Sequence, residues 1–276
     1  MRAPSRRVVS AALRLVRWAN ALTAAAGVAV GAWWAGWGDA SLVWLAALAA
    51  IGLTAAANVW NDIADVEIDR VAHPDRPLVT GAVSPGAADR LAMAAAIGAV
   101  LAASDVSAAL GVCTVGVLLL MRLYSPWIKS AGFAGNVVVS VLASLPFVYG
   151  SYAAGHWERG VPLVLISIPL HLARELAKDL DDRDADRGAR RTLPVTLGAP
   201  FARVAIIAAL FASGIALALG LAPLVKSPAL LLAALTPAMV ALVLATVRAV
   251  RGRPGSPAFF KLAMVCALAA LLVARA

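Results

Sequence analysis

The chain is poor in acidic residues, and outside two short stretches it has almost none: of 15 aspartates and glutamates in 276 residues, 11 fall within 62 to 75 and 175 to 186. Cysteine is scarcer. Cys113 and Cys266 lie inside apolar runs and match no ligand spacing, which excludes a thiolate metal site and leaves them as small packing residues. Also absent is the period-two alternation of a barrel strand, since the apolar runs are continuous and rich in Ala and Leu. Nor does any gap between those runs hold enough residues for a soluble domain.

What fills the chain is hydrophobic. Apolar residues make up 62% of it, mean hydropathy is +0.86, and the runs recur. Each is about 20 residues long, the length that crosses a hydrocarbon core roughly 30 Å thick. The expectation is an all-α polytopic membrane protein forming one integral-membrane domain over residues 1–276. Nine spans are predicted, at 14–36, 41–61, 86–104, 106–124, 131–151, 160–179, 200–221, 227–249 and 257–275, divided by Gly, Pro and charged residues. The basic start (Arg2, Arg6, Arg7) resembles a signal peptide, but the apolar run behind it is too long for one and a multispan body follows. It is read as an uncleaved first helix.

Basic residues set the orientation. The N-terminal segment and the connections after the second, fourth, sixth and eighth spans carry 21 of the 24, leaving Arg159, Lys226 and Arg275 for the other side. By the positive-inside rule, the N-terminus and both acidic stretches face the cytoplasm from the cell inner membrane. The net charge of +9 then needs no nucleic-acid partner, because topology and the anionic inner leaflet account for basic loops.

The two acidic stretches are copies. A shift of 117 maps Asp62, Asp65 and Asp69 onto Asp179, Asp182 and Asp186, and also Arg70 onto Arg187, Pro77 onto Pro194 and Gly81 onto Gly198. One stretch ends the second span and the other ends the sixth. Two parallel four-helix pseudo-repeats, about 14–130 and 131–249, with a ninth helix at 257–275, would present them to each other across a central cavity.

Spacings of three and four place the aspartates of each stretch on one helical face, where like charges repel and something positive must offset them. Oxygen donors without His or Cys suit a hard cation, Mg2+ in particular, which takes a few carboxylates together with water and substrate phosphates. Two such clusters around one cavity suit a diphosphate. The interleaved Arg70, Arg76, Arg183, Arg187, Arg190 and Arg191 would reach phosphate oxygens left free by the metal. One acidic run alone is ordinarily a solvated loop. Two in register, each beginning within a span, mark a site, because an ionisable group at membrane depth costs roughly 2.5 to 3.5 kcal/mol or more. Asn58 and Asn61 on the second span and Arg174, Glu175 and Lys178 on the sixth add polar groups where a structural helix would carry Leu or Ala. His171 is read as a packing residue.

Together these residues resemble the UbiA superfamily of intramembrane prenyltransferases. The resemblance rests on N-D-x-x-D-x-x-x-D with R-P-L-x-x-G-A-V-S (Asn61 to Asp69, Arg76 to Ser84) and on D-x-x-D-x-x-x-D with T-L-P-x-x-L-G (Asp179 to Asp186, Thr192 to Gly198). Arg17 and Asn20 in the first span, and Tyr124, Ser125, Lys129, Gly135 and Asn136 between the fourth and fifth, are similar to further motifs of that family. The resemblance implies a nine-helix bundle whose cavity lies near the cytoplasmic face and opens sideways to lipid. It implies Mg2+ held by Asn61, Asp65 and Asp69 on one side and Asp182 and Asp186 on the other, with Asp62 and Asp179 as neighbours. Asp65, Asp69, Asp182 and Asp186 would be the catalytic carboxylates. Arg17, Asn61, Arg70, Arg76, Tyr124, Lys129 and Lys178 would serve the diphosphate of a polyprenyl donor. Local strings such as R-E-L-A-K-D and L-P-F-V-Y-G are most similar to the digeranylgeranylglyceryl phosphate synthase branch, whose acceptor is a prenylated glycerol phosphate. Chlorophyll synthase-like and 4-hydroxybenzoate-type branches, whose acceptors are an esterified propionate or an aromatic ring, share much of the same text, so the hydrophobic acceptor stays open among a glycerol phosphate lipid, an aromatic or quinone precursor and other acceptors. A terpene cyclase of the same fold and a cation-coupled transporter are the alternatives.

Orientation is tested by thiol labelling of intact cells. Asp75→Cys is expected to react only with a reagent admitted to the cytoplasm and His156→Cys with one kept outside; the reverse pattern would overturn the topology.

Overall fold

The computed structural model describes residues 6–123, 132–188, 190–221 and 224–274, and every regular element among them is a helix. The first predicted span is two helices, α1 (Arg6–Val16) and α2 (Trp18–Ala35), bent by 49° at Arg17. Gly36 ends α2 in the left-handed conformation (φ 112°), its N–H returning to the Trp33 carbonyl. Asp39 caps α3 (Ala40–Ala64) by accepting from the Ser41 N–H at 2.8 Å. Hydrogen bonds from the Ser41 side chain and backbone hold the Asp39 carboxyl below its ordinary pKa. The short α4 (Val66–Ala72) continues α3, and Ser84 and Pro85 open α5 (Pro85–Val106). There follow α6 (Ala108–Leu123), α7 (Phe133–Ala153), a 3-10 turn (Trp157–Gly160), α8 (Val161–Asp181) and the short α9 (Arg183–Asp186) and α10 (Leu193–Thr196). The last long helices are α11 (Ala199–Ala216), with a π-turn at Leu217–Leu221, α12 (Pro228–Val250) and α13 (Ser256–Ala274).

Seven of these helices are long and apolar enough to cross a membrane, and eight if the bent α1–α2 pair is one span. The protein is therefore an all-α polytopic membrane protein. The expected count of nine is not reached by length alone, because the fourth predicted span, α6, has only 16 residues.

Small residues set the packing. Apolar side chains gain little by leaving lipid for each other, so membrane helices associate through close backbone approach and interhelical hydrogen bonds. Along α5, Ala88, Ala92, Ala96, Ala99 and Ala103 form a buried stripe, and α3 lies close enough that a Cβ on Gly52 would stand 2.6 Å from the Ala95 carbonyl. Between α2 and α7 the approach is closer still. A Cβ on Gly31 would meet the Phe147 carbonyl at 2.1 Å, and one on Gly150 the Val28 carbonyl at 1.9 Å. Hydroxyls join the remaining neighbours: Ser144 donates to Ser167 at 2.9 Å between α7 and α8, and Ser213 donates to the Ile166 carbonyl at 2.9 Å between α11 and α8. The α13 helix is held to α2 near both ends, by Trp34 donating to the Leu271 carbonyl (3.1 Å) and by Lys261 donating to Asn20 (2.5 Å). Val112, Phe211, Leu219 and Leu232 are among the large apolar side chains left on the outside, where lipid is their solvent.

Gly150→Ala is expected to lower the apparent Tm of the detergent-purified protein by an overpacking cost of about 1–3 kcal/mol. Gly98→Ala, where an added Cβ meets nothing within 4 Å, serves as the control and should leave Tm unchanged or slightly raised.

Candidate active site

The central aspartate of each acidic stretch interrupts its helix. Asp65, between α3 and α4, has φ −93° and ψ 0°, and Asp182, between α8 and α9, has φ −89° and ψ 2°. Both lie in the sparsely allowed bridge region, so each long helix turns at the same point of the repeat and continues as a short helix. The short helices α4 and α9 touch each other. This brings Asp65 and Asp69 together with Asp182 and Asp186 around a cavity of about 60 Å3, also lined by Arg17, Asn61, Ile68, His73, Arg76, Lys178, Ala185 and Arg190.

Arginines balance the carboxylates. Arg17 sits at the α1–α2 bend in the left-handed conformation (φ 51°, ψ 58°). A residue other than glycine in such a backbone costs of order 1–3 kcal/mol and persists only where its surroundings hold it. Two contacts do so here: Asn58 donates to the Val16 carbonyl at the break (3.1 Å), and the Arg17 guanidinium donates to Asp62 at 2.6 Å. Arg76 bonds the same Asp62 oxygen at 3.3 Å and also pairs with Asp69. Arg190 joins the two stretches, donating to Asp65 at 2.7 Å and lying 3.5 Å from Asp186. The cavity thus carries four carboxylates (Asp65, Asp69, Asp182, Asp186) and four cations (Arg17, Arg76, Lys178, Arg190).

Of the residues expected from the sequence, Arg17, Asn61, Asp65, Asp69, Arg76, Lys178, Asp182, Asp186 and Arg190 line this cavity. Arg183, Arg187 and Arg191 do not, nor do three others. Asp62 is buried behind it between Arg17 and Arg76, Asp179 accepts from Asn136 at 2.7 Å, and Arg70 is exposed and paired with Glu67 at 3.0 Å. Tyr124 and Lys129 lie outside the described residues. Asp62 and Asp69 keep a common face, since one Arg76 nitrogen meets both, but only the second and third aspartate of each trio line the cavity. His73 was not anticipated, although it follows Asp69 by four residues and so shares its face. Arg190 was anticipated only as one of several bases; its place four residues after Asp186 is the signal that distinguishes it.

The donors fit a hard cation. Around the cavity they are carboxylate and amide oxygens, with His73 the one imidazole. Among the described residues no three His, Cys, Asp or Glu side chains gather closely enough to cage an ion unaided, so an ion held here takes water or substrate oxygens into its shell.

Residues 20–269 match the UbiA prenyltransferase family. The chain belongs to that family. Among relatives of this UbiA protein, the digeranylgeranylglyceryl phosphate synthase of Halobacterium salinarum is 34% identical over 91% of this chain and 85% of its own length. The enzyme of the same name from Methanoculleus marisnigri is 37% identical, but there the match spans only 53% of each chain. In fold, the UbiA protein is similar to an apo UbiA homologue from Aeropyrum pernix K1, with TM-score 0.80, 21% identity, and 92% of this chain and 96% of that one covered. A UbiA homologue from Archaeoglobus fulgidus bound to GPP and Mg2+ gives TM-score 0.64 and 19% identity, covering 95% of this chain and 98% of that one.

Arg76→Ala removes one of the two cations on buried Asp62 and the arginine paired with Asp69. Breaking such a buried pair costs about 3 kcal/mol or more, so thermal unfolding in detergent should show a clear loss of Tm. Arg70→Ala, which breaks only an exposed pair, should change it little.

Proposed function

We propose that this protein transfers a prenyl group from a polyprenyl diphosphate to the hydroxyl of a prenylated glycerol phosphate, in a Mg2+-dependent reaction at the cytoplasmic face of the inner membrane. The observation that carries this is the mixed charge of the cavity. Four carboxylates alone would repel a diphosphate, and four cations alone would repel a metal ion. Interleaved, they suit a metal and a diphosphate bound as one unit. The name shared by the relatives supports the glycerol phosphate acceptor over an aromatic ring. Carboxylates gathered at one end of the bundle argue against a transport path, which needs ionisable groups spread through the membrane depth.

The reaction balances without an external oxidant or reductant. The acceptor hydroxyl oxygen forms a bond to C1 of the allylic chain, the C1–O bond to diphosphate breaks with its electron pair leaving on the diphosphate, and the hydroxyl proton passes to solvent or to a nearby base. Bound Mg2+ would be held by Asn61, Asp65, Asp69, Asp182 and Asp186 and would draw off charge from the leaving diphosphate. Arg17, Arg76, Lys178 and Arg190 add donors positioned before the reaction begins, so charge developing on the leaving group meets hydrogen bonds that need no reorganisation. Lys129 and Tyr124 are proposed to complete the diphosphate site. Asp62 positions Arg17 and Arg76, and Asp179 is held by Asn136. Apolar helix walls exclude water from the allylic carbon.

The bundle is proposed to contain nine spans in two parallel pseudo-repeats plus α13. Three features support this: the matching helix interruptions at Asp65 and Asp182, and the serial packing of α2 with α3 with α5 and of α7 with α8 with α11. The 16 residues of α6 reach about 24 Å, short of the hydrocarbon core but within what local thinning accommodates.

The test is purified protein with Mg2+, labelled geranylgeranyl diphosphate and a panel of acceptors. Asp65→Ala and Asp182→Ala are each expected to lower turnover at least ~100-fold, as loss of a transition-state charge stabiliser does. Wild-type turnover in either variant would sink the metal-diphosphate site, and release of a cyclic hydrocarbon without acceptor would show a cyclase instead.

A further inference from the structure

A second charged group lies beside the carboxylate cavity and is not part of its lining. On α8, Arg174 and Glu175 precede the cavity residue Lys178 by about one helical turn, toward the membrane interior. On α2, Asn20 lies three residues beyond Arg17, in the same direction. On α13, Lys261 reaches across to donate to the Asn20 side-chain oxygen at 2.5 Å, and it lies within electrostatic reach of Arg174 and Arg17. Because α13 packs against both α8 and α2, Lys261 and Arg174 come together just inside the cavity that Arg17 lines.

The charges there do not balance. Arg17 is paired with Asp62, and Arg174 bonds Glu175 through one guanidinium nitrogen. Lys261 has only the neutral Asn20, and no carboxylate within ion-pair distance among the described residues. An ammonium group inside a membrane helix and within electrostatic reach of two guanidiniums is costly unless an anion joins it, and such residues ordinarily mark a ligand path. The side chains are not sealed off: Lys261 and Asn20 are partly exposed, and so is Arg174, at 27%.

We propose that Lys261 and Arg174, steadied by Asn20, form a subsite for the anionic head group of the acceptor, a phosphomonoester. The inference rests on the prenyl-transfer reading above and deepens it. The donor's diphosphate has its own cations within the cavity, so a separate cation pair one turn deeper serves the other substrate. A phosphate anchored there holds the acceptor's hydroxyl end beside the allylic carbon while its hydrocarbon chain stays in the apolar interior. Charge-assisted hydrogen bonds of this kind set a preference for phosphorylated over neutral acceptors.

The experiment measures ether product and both KM values for the wild type, Lys261→Gln, Lys261→Arg and Arg174→Gln, using geranylgeranyl diphosphate with geranylgeranylglycerol phosphate or the unphosphorylated alcohol. Lys261→Gln keeps a donor for Asn20 and removes the charge, so a purely structural role would survive it. The expected result is a rise of about tenfold in KM for the phosphorylated acceptor, with the donor KM unchanged and the alcohol unaffected. Lys261→Arg should restore the wild-type value to within about twofold by keeping the charge. Arg174→Gln, an independent variant should Lys261→Gln fail to fold, should show the same selective rise. An unchanged acceptor KM in both Gln variants, or a parallel rise for donor and acceptor, would overturn the subsite. Transfer to a carboxylate-bearing aromatic in preference to the phosphate, with the same dependence on Lys261, would overturn its assignment to a phosphomonoester. Wild-type protein that forms no ether with either glycerol acceptor would instead remove the transfer reading on which the subsite depends.

Discussion

Neutralising carboxylates at the ends of membrane helices is the constraint on which the rest of this structure depends. Asp62, Asp69 and Asp186 are almost fully buried, and a buried carboxylate without a partner is too costly to keep. Arg17, Arg76 and Arg190 meet that demand, and the chain bends to let them. Arg17 takes a left-handed backbone at the α1–α2 break, while Arg76 and Arg190 come from connections that fold back over the cavity. The first helix, both acidic stretches and the segments after them are therefore one electrostatic unit.

Much of this was legible in the sequence, for a physical reason. Residues that are costly in lipid are retained only where they act, so the few ionisable groups within the spans stood out, and nine of the residues expected at the site do line one cavity. The 117-residue shift paired Asp65 with Asp182, and the two share a backbone conformation to within a few degrees. The ends of the long helices from α3 onward were equally readable from Gly, Pro and charge, but the break at Arg17 was not.

What escaped was set by local geometry. Regular spacing put Asp62, Asp65 and Asp69 on one face, but only the last two line the cavity, and no periodicity says how far along a face a cavity reaches. His73 and Ala185 reach the cavity only because α4 and α9 turn toward each other. The Lys261 contact with Asn20 joins residues 241 apart in the chain, a distance over which single-sequence patterns carry no information.

The seam between α2 and α7 has a further consequence. Where Gly31 and Gly150 stand against opposing carbonyls, no side chain is interposed, so the separation of these two helices is set by hard main-chain contact. The α2 helix begins at Arg17, and α7 carries the Asn136 that holds Asp179. The contact lies about 21 Å along each helix from those residues, so main-chain collision sets the spacing of α2 and α7 at the end of the bundle away from the carboxylates, like the spine of a book whose pages meet elsewhere.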